Sequence, residues 1–200
     1  MKGKGIYTSD DVLDVLMERS AILKGHFILS SGLHSDTYIQ CAKLQEVPSV
    51  CEDMCAALLR RSNDVLGDLK VDVVASPAMG AIVFGYEIAR QLGVNFVFFE
   101  RVQGNFELRR GFGIDPNSRV LIVEDVITTG GSSLEVFDAV TAFGGEVVAE
   151  LSIINRGNCA NMPFPVVSLL EMDIQNYAAD DVPDELKSIP VSKPGSRSLS

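Results

Sequence analysis

The alternation of apolar and polar positions divides the chain into two regimes, with the change near residue 70. Before it, Ser9 reads as a helix N-cap with Asp10 and Asp11 in the first turn. Val12, Val15, Leu16, Arg19, Ile22 and Leu23 then keep a helical stripe until Gly25 stops it. Residues 27–41 read as two short strands around a glycine-containing turn, and residues 49–62 as a helix with Val50, Met54, Ala57 and Leu58 inward. From Val71 the rhythm changes. Strands are expected over 71–76, 94–99, 120–123, 146–154 and 166–170, with helices over 79–92 and 133–143. That order predicts an α/β fold, a mostly parallel sheet with helices on both faces, whose ligands gather beyond the carboxyl ends of the strands. One domain is expected over 1–200, with 1–70 capping an α/β core and tail over 71–200. The turn-rich stretch 190–197 is expected to be irregular.

Charge narrows the chemistry. Seventeen basic against 27 acidic residues give a net charge of −10, which argues against a sequence-independent nucleic-acid binder. A polyanionic ligand must then find a locally basic spot or arrive with its own metal. No apolar run approaches the roughly 18 residues of a membrane helix. The N-terminal lysines lead into Asp10 and Asp11 rather than an apolar signal region, so a cytoplasmic protein is expected. Cys41, Cys51, Cys55 and Cys159 show no Cys-x-x-Cys spacing, and the only histidines are His26 and His34. Packing rather than structural zinc is expected of them.

The most informative stretch runs from Val120 to Ser133. Val120, Leu121, Ile122 and Val123 form a buried strand, Glu124 and Asp125 stand where it should end, and Thr128, Thr129, Gly130, Gly131, Ser132 and Ser133 open a helix. A strand, loop and helix N-terminus of this kind offers backbone N–H groups and hydroxyls to an anion. The acid pair should repel a phosphate, unless the ligand also carries hydroxyls for the carboxylates and a divalent cation to screen the charge. Neither Gly-x-x-x-x-Gly-Lys nor Gly-x-Gly-x-x-Gly occurs in the chain.

This segment resembles the binding signature of the type I phosphoribosyltransferases, which use phosphoribosyl pyrophosphate (PRPP). The resemblance implies that Glu124 and Asp125 take the ribose hydroxyls and that Thr128, Thr129, Gly130, Gly131 and Ser132 wrap the 5-phosphate, with Val126 and Ile127 also in the PRPP site. It further implies a type I phosphoribosyltransferase fold with a small N-terminal hood. The stretch from Gly25 to Ser35 is similar to the hood signature of the orotate phosphoribosyltransferases, and the stretch from Lys193 to Arg197 to the tail of their bacterial members. On that resemblance Arg156 meets the orotate carboxylate, Thr128 approaches the base, and Tyr38 lies near it in the hood. Residues 76–80 stand where the family has its pyrophosphate loop. Mg2+, held mainly by PRPP rather than by protein ligands, and a homodimer are implied in the same way.

The chain also departs from well-known members. They carry lysines where it has Ser30 and Gly80, and a loop with two lysines and a histidine where it has Val102, Gln103, Gly104 and Asn105. No lysine occurs between Lys70 and Lys187. The resemblance is therefore to a short-loop branch, in which Arg101 and Arg110 are the candidate catalytic cations beside Glu124 and Asp125. Arg101, Arg109 and Arg110 flank an expected hairpin, and either clamp pyrophosphate or guard a solvated edge. The expected reaction is transfer of ribose 5-phosphate from PRPP to orotate. A purine phosphoribosyltransferase and a non-catalytic PRPP sensor are the alternatives.

Overall fold

The computed structural model describes residues 7–29, 32–157 and 161–194. Ser30, Ser31, Cys159 and the end of the tail, 195–197, lie outside the described residues. The larger sheet has six strands in the order β5-β4-β3-β6-β7-β8: β3 (Val73–Pro77), β4 (Asn95–Val102), β5 (Asn105–Leu108), β6 (Arg119–Ile127), β7 (Glu146–Asn155) and β8 (Val166–Glu171). All are parallel except β5, which turns back on β4 as a hairpin. Gln103 and Gly104 both take positive φ in its two-residue turn, the backbone twist that tight hairpins require.

Near-continuous apolar runs form the central strands because both faces are covered. On one face α1 (Ser9–Glu18), α3 (Pro48–Leu66) and α4 (Ile82–Leu92) bury Leu16, Met54, Leu58, Phe84 and Ile88 against Leu121, Val123 and Leu151. Each such side chain contributes roughly 1.5–3 kcal/mol by leaving water. On the other, α5 (Gly131–Ala142) sets Val136 and Val140 against Val120 and Ile122.

Several boundaries differ from those read off the sequence, and the most telling lie at α1, β6 and the tail. Helix α1 is capped by Thr8, not Ser9: Thr8 Oγ1 accepts from the Asp11 N–H at 3.2 Å and the Asp11 carboxylate accepts from the Thr8 N–H at 3.0 Å. It ends at Glu18, because Ser20 adopts a left-handed conformation. Ile22 and Leu23 therefore belong to β1 (Ile22–Ile28), pairing with Ile39 and Tyr38 of β2 (His34–Ile39). Strand β6 continues four residues past Val123, since its neighbour β7 supplies ladder partners as far as Asn155. The stretch after Pro190 is not wholly irregular: β10 (Val191–Ser192) lies parallel to β1 and covers its edge.

A second sheet, in the order β10-β1-β2-β9, forms the hood, with β9 (Asn176–Tyr177) antiparallel to β2. Its strands come from both ends of the chain. α6 (Asp184–Lys187) leads into β10, and His26 Nδ1 meets the Ile189 carbonyl at 3.2 Å while its Nε2 meets His34 Nδ1 at 2.6 Å. The short α2 (Ala42–Gln45) connects the hood to α3.

One charge lies inside the core. Glu150, fully buried on β7, accepts from Ser133 Oγ at 2.7 Å, and its Oε2 has no partner among the described residues. Burial pushes its carboxyl up to about 7, against the opposing pull of the Ser133 hydrogen bond. A raised folded-state pKa favours the fold fully below the unfolded value, roughly 4.3, and that advantage is lost as pH rises through the folded one. The loss amounts to about 3 kcal/mol at neutral pH and above. Glu150→Gln, which keeps an acceptor for Ser133, is expected to raise the melting temperature relative to the parent by several degrees near pH 8, the gain shrinking towards pH 5. Thermal melts of both proteins across that range test it; a pH-independent difference would contradict it.

Candidate active site

The ends of β3 and β6, and the loop after each, meet at one place. Successive residues of a strand point to opposite faces, so Glu124 and Asp125 diverge: Glu124 shares the α5 face with Ile122 and Glu150, and Asp125 the opposite face. Burial raises the Glu124 carboxyl well above the usual range, with the charges of Asp125 and Glu150 adding to it. Its Oε2 is buried with no partner among the described residues. Burial also raises the Asp125 carboxyl, partly offset by hydrogen bonds from backbone N–H groups, that of Val126 reaching Oδ1 at 3.0 Å. Two desolvated carboxylates, one with an unused oxygen, suit a ligand that brings hydroxyl donors and positive charge with it.

Beyond Ile127 the chain turns over Thr128 and Thr129, both exposed, to Gly130. This residue has φ +77°, a conformation that favours glycine, and a Cβ there would lie 3.0 Å from Met162 Cε, the flexible end of that side chain. Gly130 is the N-cap of α5, and no side chain caps the helix. The first-turn amides are thus left for an anion.

The loop after β3 closes the other side. The Ala78 N–H donates to the Phe99 carbonyl at 2.8 Å, the Ala78–Met79 peptide is cis, and Met79 is exposed at the tip. Gly80 lies directly against Asp125: a Cβ on it would stand 2.4 Å from Asp125 Oδ2. Gln45 of α2 donates to the Gly80 carbonyl, tying the loop from behind. Close backbone approach to a carboxylate explains why glycine, not lysine, fits position 80 in this chain.

The expected cations are placed less directly. Arg101 holds Glu135 of α5 at 2.8 and 3.3 Å, bonds the Gly104 carbonyl, and stacks 4.1 Å over Phe106. The hairpin is thereby anchored to the helix that opens at Gly130. Arg110 pairs with Glu100 at 2.9 and 3.1 Å and holds that carboxyl below its usual range. Neither guanidinium is bonded to Glu124 or Asp125. Tyr38 packs on Phe27, ring centroids 5.7 Å apart.

Arg156 follows the end of β7 and faces the hood. Its Nη2 donates to the Ile174 carbonyl at 3.3 Å and to Asn176 Oδ1 at 2.9 Å, and its Nε is buried without a partner among the described residues. Burial lowers its pKa, against the attraction of Asp36 on β2. Gln45, Glu135, Glu150 and Asn176 all escaped the sequence reading. Only Glu150 left a signal, as an acid set between the apolar runs 147–149 and 153–154 of one strand.

Comparison with known proteins shows the family. Residues 49–185 match the phosphoribosyl transferase domain family. The orotate phosphoribosyltransferase of Erythrobacter litoralis is 44% identical over 192 residues, covering 95% of this chain and 98% of that one. That of Carboxydothermus hydrogenoformans is 42% identical over 188 residues, covering 94% and 97%. The crystal structure of orotate phosphoribosyltransferase from Aeropyrum pernix superposes with a TM-score of 0.69 at 26% identity, covering 80% of this chain and 93% of that one. On sequence and fold together, the chain belongs to the phosphoribosyltransferase family and, within it, to the orotate phosphoribosyltransferases.

Proposed function

We propose that this chain, acting as one catalytic unit, transfers the 5-phosphoribosyl group of PRPP to N1 of orotate, releasing pyrophosphate and forming orotidine 5′-phosphate. The observation that carries the reading is Arg156: a half-buried guanidinium with an unused Nε, held by neutral acceptors, beside the same strand ends as the Glu124–Asp125 pair. A base bearing a carboxylate satisfies that cation, and a purine does not.

In this reading the exposed turn from Thr128 to Ser132 and the amides of α5 hold the 5-phosphate, with Thr128 also approaching the base. Glu124 and Asp125 accept from the ribose hydroxyls and fix the ring. Their charge also favours the positive character that develops on the ribose as pyrophosphate leaves. Substrate binding supplies the partner that Glu124 Oε2 lacks. The loop at 76–80 offers backbone to the pyrophosphate, with Gly80 keeping it in contact with Asp125. Mg2+ carried on PRPP supplies charge neutralisation of the departing oxygens. The donor set fits that division, since two carboxylates at a strand end suit hydroxyls and a shared cation.

Arg101 and Arg110 are the cations we assign to pyrophosphate. Arg101 reaches it by exchanging Glu135 for the ligand. That pair is exposed, with 43% and 45% of the two side chains accessible, and an exposed ion pair is worth only ~0–1 kcal/mol. Release is therefore cheap, and gain in a site closed to water is larger. Tyr38, on the hood strand that also carries Asp36, lies towards the base.

A homodimer accompanies this reading. A groove of about 660 Å³ between α4 and the β4–β5 region is lined by Ile82, Val83, Tyr86, Phe96, Phe98 and Phe112, with Val83 and Tyr86 exposed beside it. A second copy would cover that apolar face. Among the described residues no helix is long and apolar enough to cross a membrane, and we place the enzyme in the cytoplasm.

Following orotate absorbance with PRPP and Mg2+ tests the reaction, with adenine and hypoxanthine as competing bases. Consumption of orotate with stoichiometric pyrophosphate supports it, and turnover of a purine instead overturns it. Arg156→Ala is expected to raise KM for orotate roughly a hundredfold while changing KM for PRPP little; an equal loss in both would remove the assigned role. Gly80→Ala should do the reverse. It raises KM for PRPP about tenfold or more by displacing Asp125, with a melting temperature within about 3 °C of the parent. Steady-state kinetics beside thermal melts separate the two.

A further inference from the structure

Arg90, Arg101, Arg110 and Arg119 each end on a carboxylate: Glu52 and Glu87, Glu135, Glu100 and Asp72 respectively. Arg156 is held differently. Its two described hydrogen bonds go to a backbone carbonyl and a side-chain amide oxygen, both from the segment that leaves the core at β8 and enters the hood at β9. A neutral acceptor orients a guanidinium without cancelling its charge, so the cation stays available to an incoming anion. The nearest described carboxylate to influence it, Asp36, acts through space rather than through a hydrogen bond and is engaged with Thr37 Oγ1 at 2.7 Å and Lys24 Nζ at 3.4 Å.

We infer that Asn176 is a positioning residue for Arg156, and through it a determinant of selectivity for a base that carries a carboxylate. The inference rests on the reading of Arg156 given above and adds the residue that aims it. Asn176 pairs with Ser35 in the β2–β9 ladder, and Ser35 Oγ donates to the neighbouring Gln175 carbonyl at 3.1 Å. The amide is thus fixed by the hood sheet, while the arginine is fixed by the core strand, whose Arg156 N–H donates to the Ile127 carbonyl at 2.9 Å. Oδ1 of Asn176 joins the two at the guanidinium. Long arginine side chains lose much rotamer freedom on binding. A second fixed acceptor removes part of that cost before the substrate arrives. An aspartate of the same size would instead neutralise the cation and compete with the substrate carboxylate.

The test is a set of four variants, Asn176→Ala, Asn176→Asp, Arg156→Ala and the double Asn176→Ala/Arg156→Ala, with KM for orotate and for PRPP measured separately on each. Asn176→Ala is expected to raise KM for orotate about tenfold and to leave KM for PRPP within about twofold. Asn176→Asp, which keeps the size and the Oδ1 acceptor but brings a negative charge, is expected to raise KM for orotate at least as much. The double variant should be no worse than Arg156→Ala alone, because Asn176 acts through a side chain already removed. Unchanged orotate KM in both Asn176 variants, equal losses for both substrates, or a double variant showing the product of the single effects would each overturn the inference while leaving the role of Arg156 intact. If Arg156→Ala itself spares orotate, the role of Arg156 falls and this inference falls with it.

Discussion

Everything at the ligand-binding end of this protein follows from one electrostatic constraint: two adjacent carboxylates are carried into the interior on a paired strand. Glu124 and Asp125 are both destabilised as anions by burial, and the fully buried Glu150 adds to the burden on Glu124. A strand that simply ended at Val123 would have left them in water at no cost. The ladder to β7 prevents that. What the fold loses in stability there it recovers when a ligand supplies donors and positive charge, as the reading proposed above requires.

The arginines show the same logic from the other side. In a chain of net charge −10, Arg90, Arg101, Arg110 and Arg119 each find a carboxylate, two of them at the hairpin. Such exposed pairs hold little energy and can be exchanged. Arg156 departs from the pattern, being half-buried and hydrogen-bonded to neutral acceptors rather than to a carboxylate. The division into exchangeable and reserved cations matches a reaction with one departing polyanion and one incoming carboxylate.

Much of this was legible in the chain. The apolar runs gave the parallel sheet, and the acid pair before a Thr, Gly and Ser run singled out the candidate site. Where the sequence misled, a tertiary partner decided. Ile22 and Leu23 fit a helical stripe as well as a strand, and only Ser20 in a left-handed conformation and the partner β2 settle the choice. The two residues of β10 carry no period at all. Gln45 and Asn176 are polar residues in polar surroundings, important for what the fold brings beside them. The contact between Gly80 and Asp125 joins residues 45 positions apart in sequence, and no local pattern encodes it.

The hood has a consequence for the order in which the two halves of the site come into being. The half proposed to bind phosphate is drawn from β3 to β7, whose strands are near neighbours in the chain. The half proposed to bind the base needs β9 and β10 to join β1 and β2, and the contact between His26 and Ile189 spans 163 positions. Closing so long a loop is slow compared with forming the contiguous sheet. On a ribosome, β1 and β2 must wait until nearly the whole chain has emerged before they gain their outer strands. The half proposed to hold the ribose phosphate is therefore expected to mature first, and the surface proposed to distinguish one base from another to take shape last.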